Sequence, residues 1–230
     1  MMFRQMIRQQ FQQQIQQQVQ WIQNKLHAVL IATAIVMSLA VPSLAHSAPK
    51  TILVLGDSLS AEYGITRGSG WVALLEKRLS EKKLGFKVFN ASVSGETSSG
   101  GKSRLNALLQ EHRPQIVIIE LGGNDALRGL DLKASESNFR EMVKSALASK
   151  SKVLLVGMKI PPNYGKTYGD QFFNLYAKIA KENNIPLVPF LLEGVAEQAE
   201  LFQADRIHMK AEAHPRILDN VWTKLEKMLK

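Results

Sequence analysis

Cysteine is absent from all 230 residues. That excludes disulfides, thiol nucleophiles and zinc–thiolate sites, and it leaves packing alone to hold an exported chain together. Acidic residues are missing from the first 56 positions, where the leader's charges are Arg4, Arg8 and Lys25. No dense basic cluster with interleaved aromatics occurs, so the net charge of +9 does not mark a nucleic-acid binder. It suits transient contact with an anionic membrane surface, or acidic substrates. No segment repeats at the period of a solenoid.

A single long apolar run is present, residues 28–45, AVLIATAIVMSLAVPSLA. Cations precede it, and Pro42 followed by Ser43-Leu44-Ala45 resembles a small-x-small cleavage site. Together these read as a secretory signal peptide cut after Ala45, with export to the periplasm or beyond. The alternative is an uncleaved membrane anchor, since the run approaches the ~18–20 residues that span a bilayer. Residues 9–23 are packed with glutamine, a low-complexity stretch that is either a solvated leader or an amphipathic helix. The expected division is residues 1–45 as leader and 46–230 as one domain, a length that supports a substantial core.

Within 46–230 two periodicities alternate. Short apolar runs at 52–55, 86–89, 116–119, 153–156 and 186–189 predict strands. Between them, apolar residues at helical spacing predict helices over 69–79, 101–112, 135–149, 170–183 and 211–229, the first capped by Ser69. Repeated βα units with uniformly apolar strands mean an α/β fold whose parallel sheet is covered on both faces.

In such sheets ligands bind beyond the carboxyl ends of the strands. Gly56-Asp57-Ser58 lies just past the first strand, so the sheet displays a serine at its rim. Ser94-Gly95-Glu96 follows the second strand and Gly122-Gly123-Asn124-Asp125 the third. An acyl-transfer nucleophile needs a base, and the base needs a carboxylate to fix its tautomer. Asp205 and His208 stand three apart, within reach of one another across a turn. His46, His112 and His214 lack such a setting. A tetrahedral oxyanion needs converging donors, which Ser58 N–H, Gly95 N–H and the Asn124 side chain can supply. Singly, each stretch is also an ordinary turn; all four in order at successive positions favour a hydrolase.

A rival stretch is Gly95-Glu96-Thr97-Ser98-Ser99-Gly100-Gly101-Lys102-Ser103, close to a phosphate-binding loop between a strand and a helix. The motif demands glycine at position 96, where Glu96 stands. A nucleotide-binding protein is therefore the minor alternative, and a catalytically silent acyl-binding protein the third.

Gly56-Asp57-Ser58-Leu59-Ser60, Gly95, Gly123-Asn124-Asp125 and Asp205-x-x-His208 resemble, in order, the four sequence blocks of the SGNH (GDSL) hydrolases. Asn90–Ser98, Glu120–Gly129 and Ile160–Gly165 are similar to the thioesterase/lysophospholipase/arylesterase branch. The resemblance implies a three-layer αβα sandwich, flavodoxin-like, with sheet order 2-1-3-4-5. It implies Ser58 as nucleophile, His208 as base, Asp205 as its orienter, and Ser58, Gly95 and Asn124 as the oxyanion hole. No metal or cofactor is implied. Substrates would be acyl esters and thioesters, bound by a monomer on an open rim; a carbohydrate O-deacetylase of the same family is the alternative. Asp57 and Leu59 beside the serine, with Leu127, Leu130, Ile160, Pro161 and Tyr164 in the loops after the third and fourth strands, are the expected substrate contacts. Arg206 and Met209 depart from the branch's pattern around the histidine.

Overall fold

The computed structural model describes residues 2–39 and 50–230, with side chains over 2–27 and 50–230. One helix, α1 (Met2–Leu39), takes in the glutamine-rich stretch and much of the apolar run. The expected cut after Ala45 lies outside the described residues. Among the described residues no helix is long and apolar enough to cross a membrane. The chain divides into two compact units, Met1–Ser47 and Ala48–Lys230.

The second unit is built on five parallel strands: β1 (Lys50–Gly56), β2 (Phe86–Asn90), β3 (Ile116–Glu120), β4 (Lys152–Val156) and β5 (Leu187–Val188). Their order is β2-β1-β3-β4-β5, the order that the resemblance implied, and helices flank the sheet. Six α-helices lie among the described residues of this unit: α2 (Trp71–Glu81), α3 (Ser98–His112), α4 (Gly123–Leu127), α5 (Leu132–Ala148), α6 (Lys166–Asn183) and α7 (His214–Leu225). Ile52–Leu55 and Ile116–Ile119 are all but fully buried, which is why these strands carry no polar alternation. Trp71, Phe139, Phe172 and Tyr176 fill the layers between sheet and helices. Each such side chain taken out of water contributes roughly 1.5–3 kcal/mol.

Helices α3, α5 and α6 begin earlier than periodicity suggested, because their first turns are mostly polar or small, whereas α2 begins later, at Trp71, and α7 at His214, after the short 3-10 turn Ala211–Ala213. Thr97 caps α3, its side chain accepting from Gly100 N at 3.3 Å. Asp131 caps α5 by accepting from Lys133 N at 3.0 Å. Ser69 does not cap α2: Gly70 holds that position, and the Ser69 hydroxyl turns back to Thr66 O.

Register positions the site. Gly56 of β1 pairs with Glu120 of β3, and Val54 with Asn90 of β2. The chain therefore leaves three adjacent strands side by side, where the strand order reverses about β1, the place such sheets reserve for ligands.

Candidate active site

Ser58 stands half-buried in the turn after β1, its Oγ 2.8 Å from His208 Nε2. His208 Nδ1 lies 2.7 Å from Asp205 Oδ2, so the imidazole is held at both nitrogens. Asp205 Oδ1 accepts from the backbone amides of Ile207 and His208, each at 3.0 Å. Burial works to raise the Asp205 carboxyl, but those two amides and the imidazole overcome it and hold it at about 2. The carboxylate is thus ionised, an acceptor that places the Nδ1 proton and leaves Nε2 free to accept from Ser58.

The loop bearing this pair is closed at its base. Phe202 and Met209 form an antiparallel bridge, and Met209 is buried at 2 % exposure. Arg206, at φ 58, makes the turn. The two residues that break the branch's pattern therefore shape the loop: Arg206 at its tip, Met209 at its anchor. Gln203 fixes it further, with Nε2 donating to Tyr63 O and Met209 O at 2.9 Å each and its amide to His208 O at 2.8 Å. The ring of Tyr63 lies 4.3 Å from the imidazole, tilted by 37°.

Of the donors expected for an oxyanion, the Asn124 side chain is hydrogen-bonded to Asp57, the residue before Ser58. Gly95 has φ 79, a conformation that side chains disfavour, and Arg128 Nη2 donates to its carbonyl at 2.9 Å. Neither Gly95 N–H nor Ser58 N–H donates to a protein acceptor among the described residues. Asn124 is in the first turn of the short helix α4, not in an open loop. Gly122, at φ 101, permits that turn, and a Cβ there would stand 2.5 Å from the Tyr176 hydroxyl. Asp125 points inward, accepting from Ser98 N at 2.8 Å and Ser135 Oγ at 2.9 Å, and so ties α4 to α3 and α5.

Asp57, expected to meet substrate, is 2 % exposed and belongs to the floor of the site. Its Oδ2 accepts from Asn124 Nδ2 at 3.1 Å and its Oδ1 from Leu59 N at 3.0 Å. Glu120 lies beneath it, accepting from Ser60 Oγ at 2.6 Å, while Trp71 Nε1 donates to the same hydroxyl at 3.1 Å. Burial raises both carboxyls, Asp57 to about 6 and Glu120 well above the ordinary range, with the Asp57 charge adding to the rise of Glu120.

Leu59 likewise turns into the core, although it lines the recess together with Ser58, Tyr63, His208, Met209 and His214. Leu130, Pro161 and Tyr164 are exposed, Leu127 is half-buried, and Ile160 packs partly against the core. Tyr164 Oη donates to Leu127 O at 3.2 Å, and Tyr168 Oη lies 3.3 Å from both Ala126 O and Leu130 O. The two loops are thereby joined into one wall.

The phosphate-loop reading fails on geometry. Glu96 folds over the Gly100 backbone and pairs with Arg104 at 2.8 Å, while Lys102 is turned to Glu141 at 3.4 Å. A carboxylate fills the place a phosphate would need. Tyr63, Gln203, Arg128 and Glu120 were not singled out from sequence and His214 was set aside, since each acts through a partner distant along the chain or through a backbone atom.

The GDSL-like lipase/acylhydrolase family model matches residues 54–216. The esterase TesA of Pseudomonas aeruginosa is 47 % identical over 184 residues, 80 % of this chain and 92 % of that protein. A thioesterase 1/protease 1/lysophospholipase of Escherichia coli is 40 % identical over 183 residues, 80 % of this chain and 86 % of its own. The psychrotrophic esterase EstA from Pseudoalteromonas, in a crystal structure inhibited by monoethylphosphonate, superimposes with a TM-score of 0.75 at 39 % identity, over 78 % of this chain and 98 % of that one.

Proposed function

This chain belongs to the GDSL-like lipase/acylhydrolase family, and from that premise we propose that it hydrolyses acyl esters and thioesters through an acyl-enzyme on Ser58. The observation that carries this is the continuous chain Ser58 Oγ, His208 Nε2, His208 Nδ1, Asp205, with contacts of 2.8 and 2.7 Å.

Ser58 Oγ attacks the acyl carbonyl as its proton passes to His208 Nε2. The tetrahedral oxyanion is held by the amides of Ser58 and Gly95 and by Asn124 Nδ2, each worth ~2.7–4 kcal/mol if it follows other oxyanion donors. Collapse expels the alcohol or thiol, which takes the proton from His208. Water then attacks the acyl-serine, giving its proton to Nε2, and the fatty acid leaves as Ser58 regains the proton. Ionised Asp205 stabilises the imidazolium in both halves.

Relatives named as esterase, thioesterase and lysophospholipase support a substrate range of aryl esters, acyl thioesters and lysophospholipids. The cationic leader and apolar run support export.

The test is Ser58→Ala. Turnover of a short chromogenic ester should drop by ~10⁴–10⁶ while the melting transition stays in place. An ethyl phosphonate ester with a nitrophenoxide leaving group should phosphonylate the wild type once, Ser58 Oγ displacing nitrophenolate from phosphorus, and mass spectrometry should map the adduct to Ser58. Turnover by the alanine variant at the wild-type rate would end this reading.

A further inference from the structure

We infer that Asp57 is a positioning residue whose ionised carboxylate decides which end of the Asn124 amide faces the oxyanion. The inference rests on the acyl-enzyme reading above, in which Asn124 supplies a donor.

A primary amide is nearly symmetric in shape but opposite in function at its two ends. Nitrogen carries two hydrogens, so one can hold a partner while the other serves the substrate. Oxygen turned the same way would present lone pairs to a developing anion. Something must therefore choose the rotamer.

The carboxylate of Asp57 is placed to choose it. Both of its oxygens are engaged as acceptors, Oδ1 by Leu59 N at 3.0 Å and Oδ2 by Asn124 Nδ2 at 3.1 Å. An ionised carboxylate has no hydrogen to give, so it accepts only the nitrogen end of Asn124. A protonated carboxyl, or an amide in its place, can donate to Asn124 Oδ1 and reward the inverted rotamer.

The surroundings make this a choice and not a fixture. Three groups impinge on the Asp57 carboxyl from the elements packed over it: Glu120 from the end of β3, Asp125 from α4, and His208 from the loop above. Tyr176 of α6 lies behind them. Burial raises Asp57, while the Leu59 amide, His208 and Asn124 pull it down, leaving it at about 6. Ionisation of Asp57 thus falls close to neutrality, and acid would remove the bias that holds the donor in place.

The experiment is a double-mutant cycle, kcat/KM for a two-carbon aryl ester being measured for wild type, Asp57→Asn, Asn124→Ala and the double variant. Asn124→Ala should cost ~10²–10³, Asp57→Asn a loss of similar size in kcat with little change in KM, and the double variant no more than a few-fold beyond Asn124→Ala alone, since an amide that is absent cannot be misdirected. Losses that multiply would overturn the inference. Should Asp57→Asn fail to fold, the acid limb of the kcat profile decides. The ratio of wild-type kcat to Asn124→Ala kcat should shrink as pH falls through about 6, where Asp57 takes up its proton; a ratio constant across that range would overturn the inference. Ser58→Ala separates the two claims. If that variant turns over, the acyl-enzyme reading fails; if it is dead and the losses multiply, only the role of Asp57 fails.

Discussion

His214 Nδ1 accepts a hydrogen bond from the backbone N–H of Trp71 at 3.0 Å. The first residue of the closing helix α7 thus satisfies the first amide of α2, doing the work expected of Ser69. The indole of Trp71 in turn holds Ser60, and Ser60 holds Glu120 under the nucleophile.

Replacing His214 with alanine would orphan a buried amide, so the fold should lose about 1–3 kcal/mol. Burial lowers the His214 pKa from its ordinary 6.5, with Glu62 opposing. Below 6.5 the unfolded chain takes up a proton that the folded chain refuses, so this group's contribution to stability falls as pH drops. Urea melts of wild type and His214→Ala should therefore converge as pH is lowered from 7 towards 5. A gap of constant size across that range would contradict the capping role.

Asp57 has the opposite sign. Its folded value of about 6 lies above the ordinary 3.8, so between those limits the folded chain holds a proton that the unfolded chain has lost, and stability falls as pH rises. Above pH 6 the full penalty stands, about 3 kcal/mol for a displacement of that size. Asp57→Asn should accordingly melt higher than wild type at pH 7.5, with the advantage gone by pH 3.5, although it is the poorer catalyst. Equal melting points at pH 7.5 would show that burial of this carboxylate carries no such penalty.

Gln203 joins the nucleophile's loop to the histidine's loop through two side-chain hydrogen bonds of 2.9 Å. Gln203→Ala should lower kcat about tenfold, as bonds worth ~1 kcal/mol each are lost and His208 samples positions away from Ser58. KM should change little. Single-turnover acylation is the measurement, and an unaltered acylation rate would show that the loop needs no staple.

Leu130 is 41 % exposed on the wall that Tyr164 and Tyr168 assemble. If acyl chains lie along that wall, each covered methylene contributes up to ~0.8 kcal/mol. Leu130→Ser should reduce kcat/KM several-fold for an eight-carbon ester and leave the two-carbon ester unaffected. Parallel losses on both would make the wall a support for Asn124 and not a selector of chain length. Ile160 is the worse probe, because it packs partly against the core.

The strands were legible because burial on both faces removes polar residues from them, as in Ile116–Ile119. Sheet order came from the family resemblance, since apolar runs do not state their neighbours. Helix starts were missed by a few residues wherever the first turn is polar, as at Ser98 and Lys166. The serine, the Asp205–His208 pair and the glycine-bearing turns were visible because their chemistry restricts residue type and spacing. Asp57 was misread as a substrate contact because adjacency to Ser58 along the chain says nothing of direction: the turn points one side chain outward and the next into the floor. His214 was set aside for want of a nearby carboxylate, yet its partner is a backbone amide 143 positions away, which no local pattern records.

Asp205 and His208 share one short loop whose base is pinned by Phe202, Met209 and Gln203. The base and the carboxylate that orients it therefore travel together. Should the loop lift from Ser58 to admit a bulky acyl group, the imidazole would leave with its tautomer already set, because Asp205 leaves with it. Reassembly then requires one contact to re-form, between Nε2 and Oγ, and not two. An enzyme whose base and orienting carboxylate came from separate elements would have to re-register both after each such excursion. This arrangement lets the rim breathe without disarming the base.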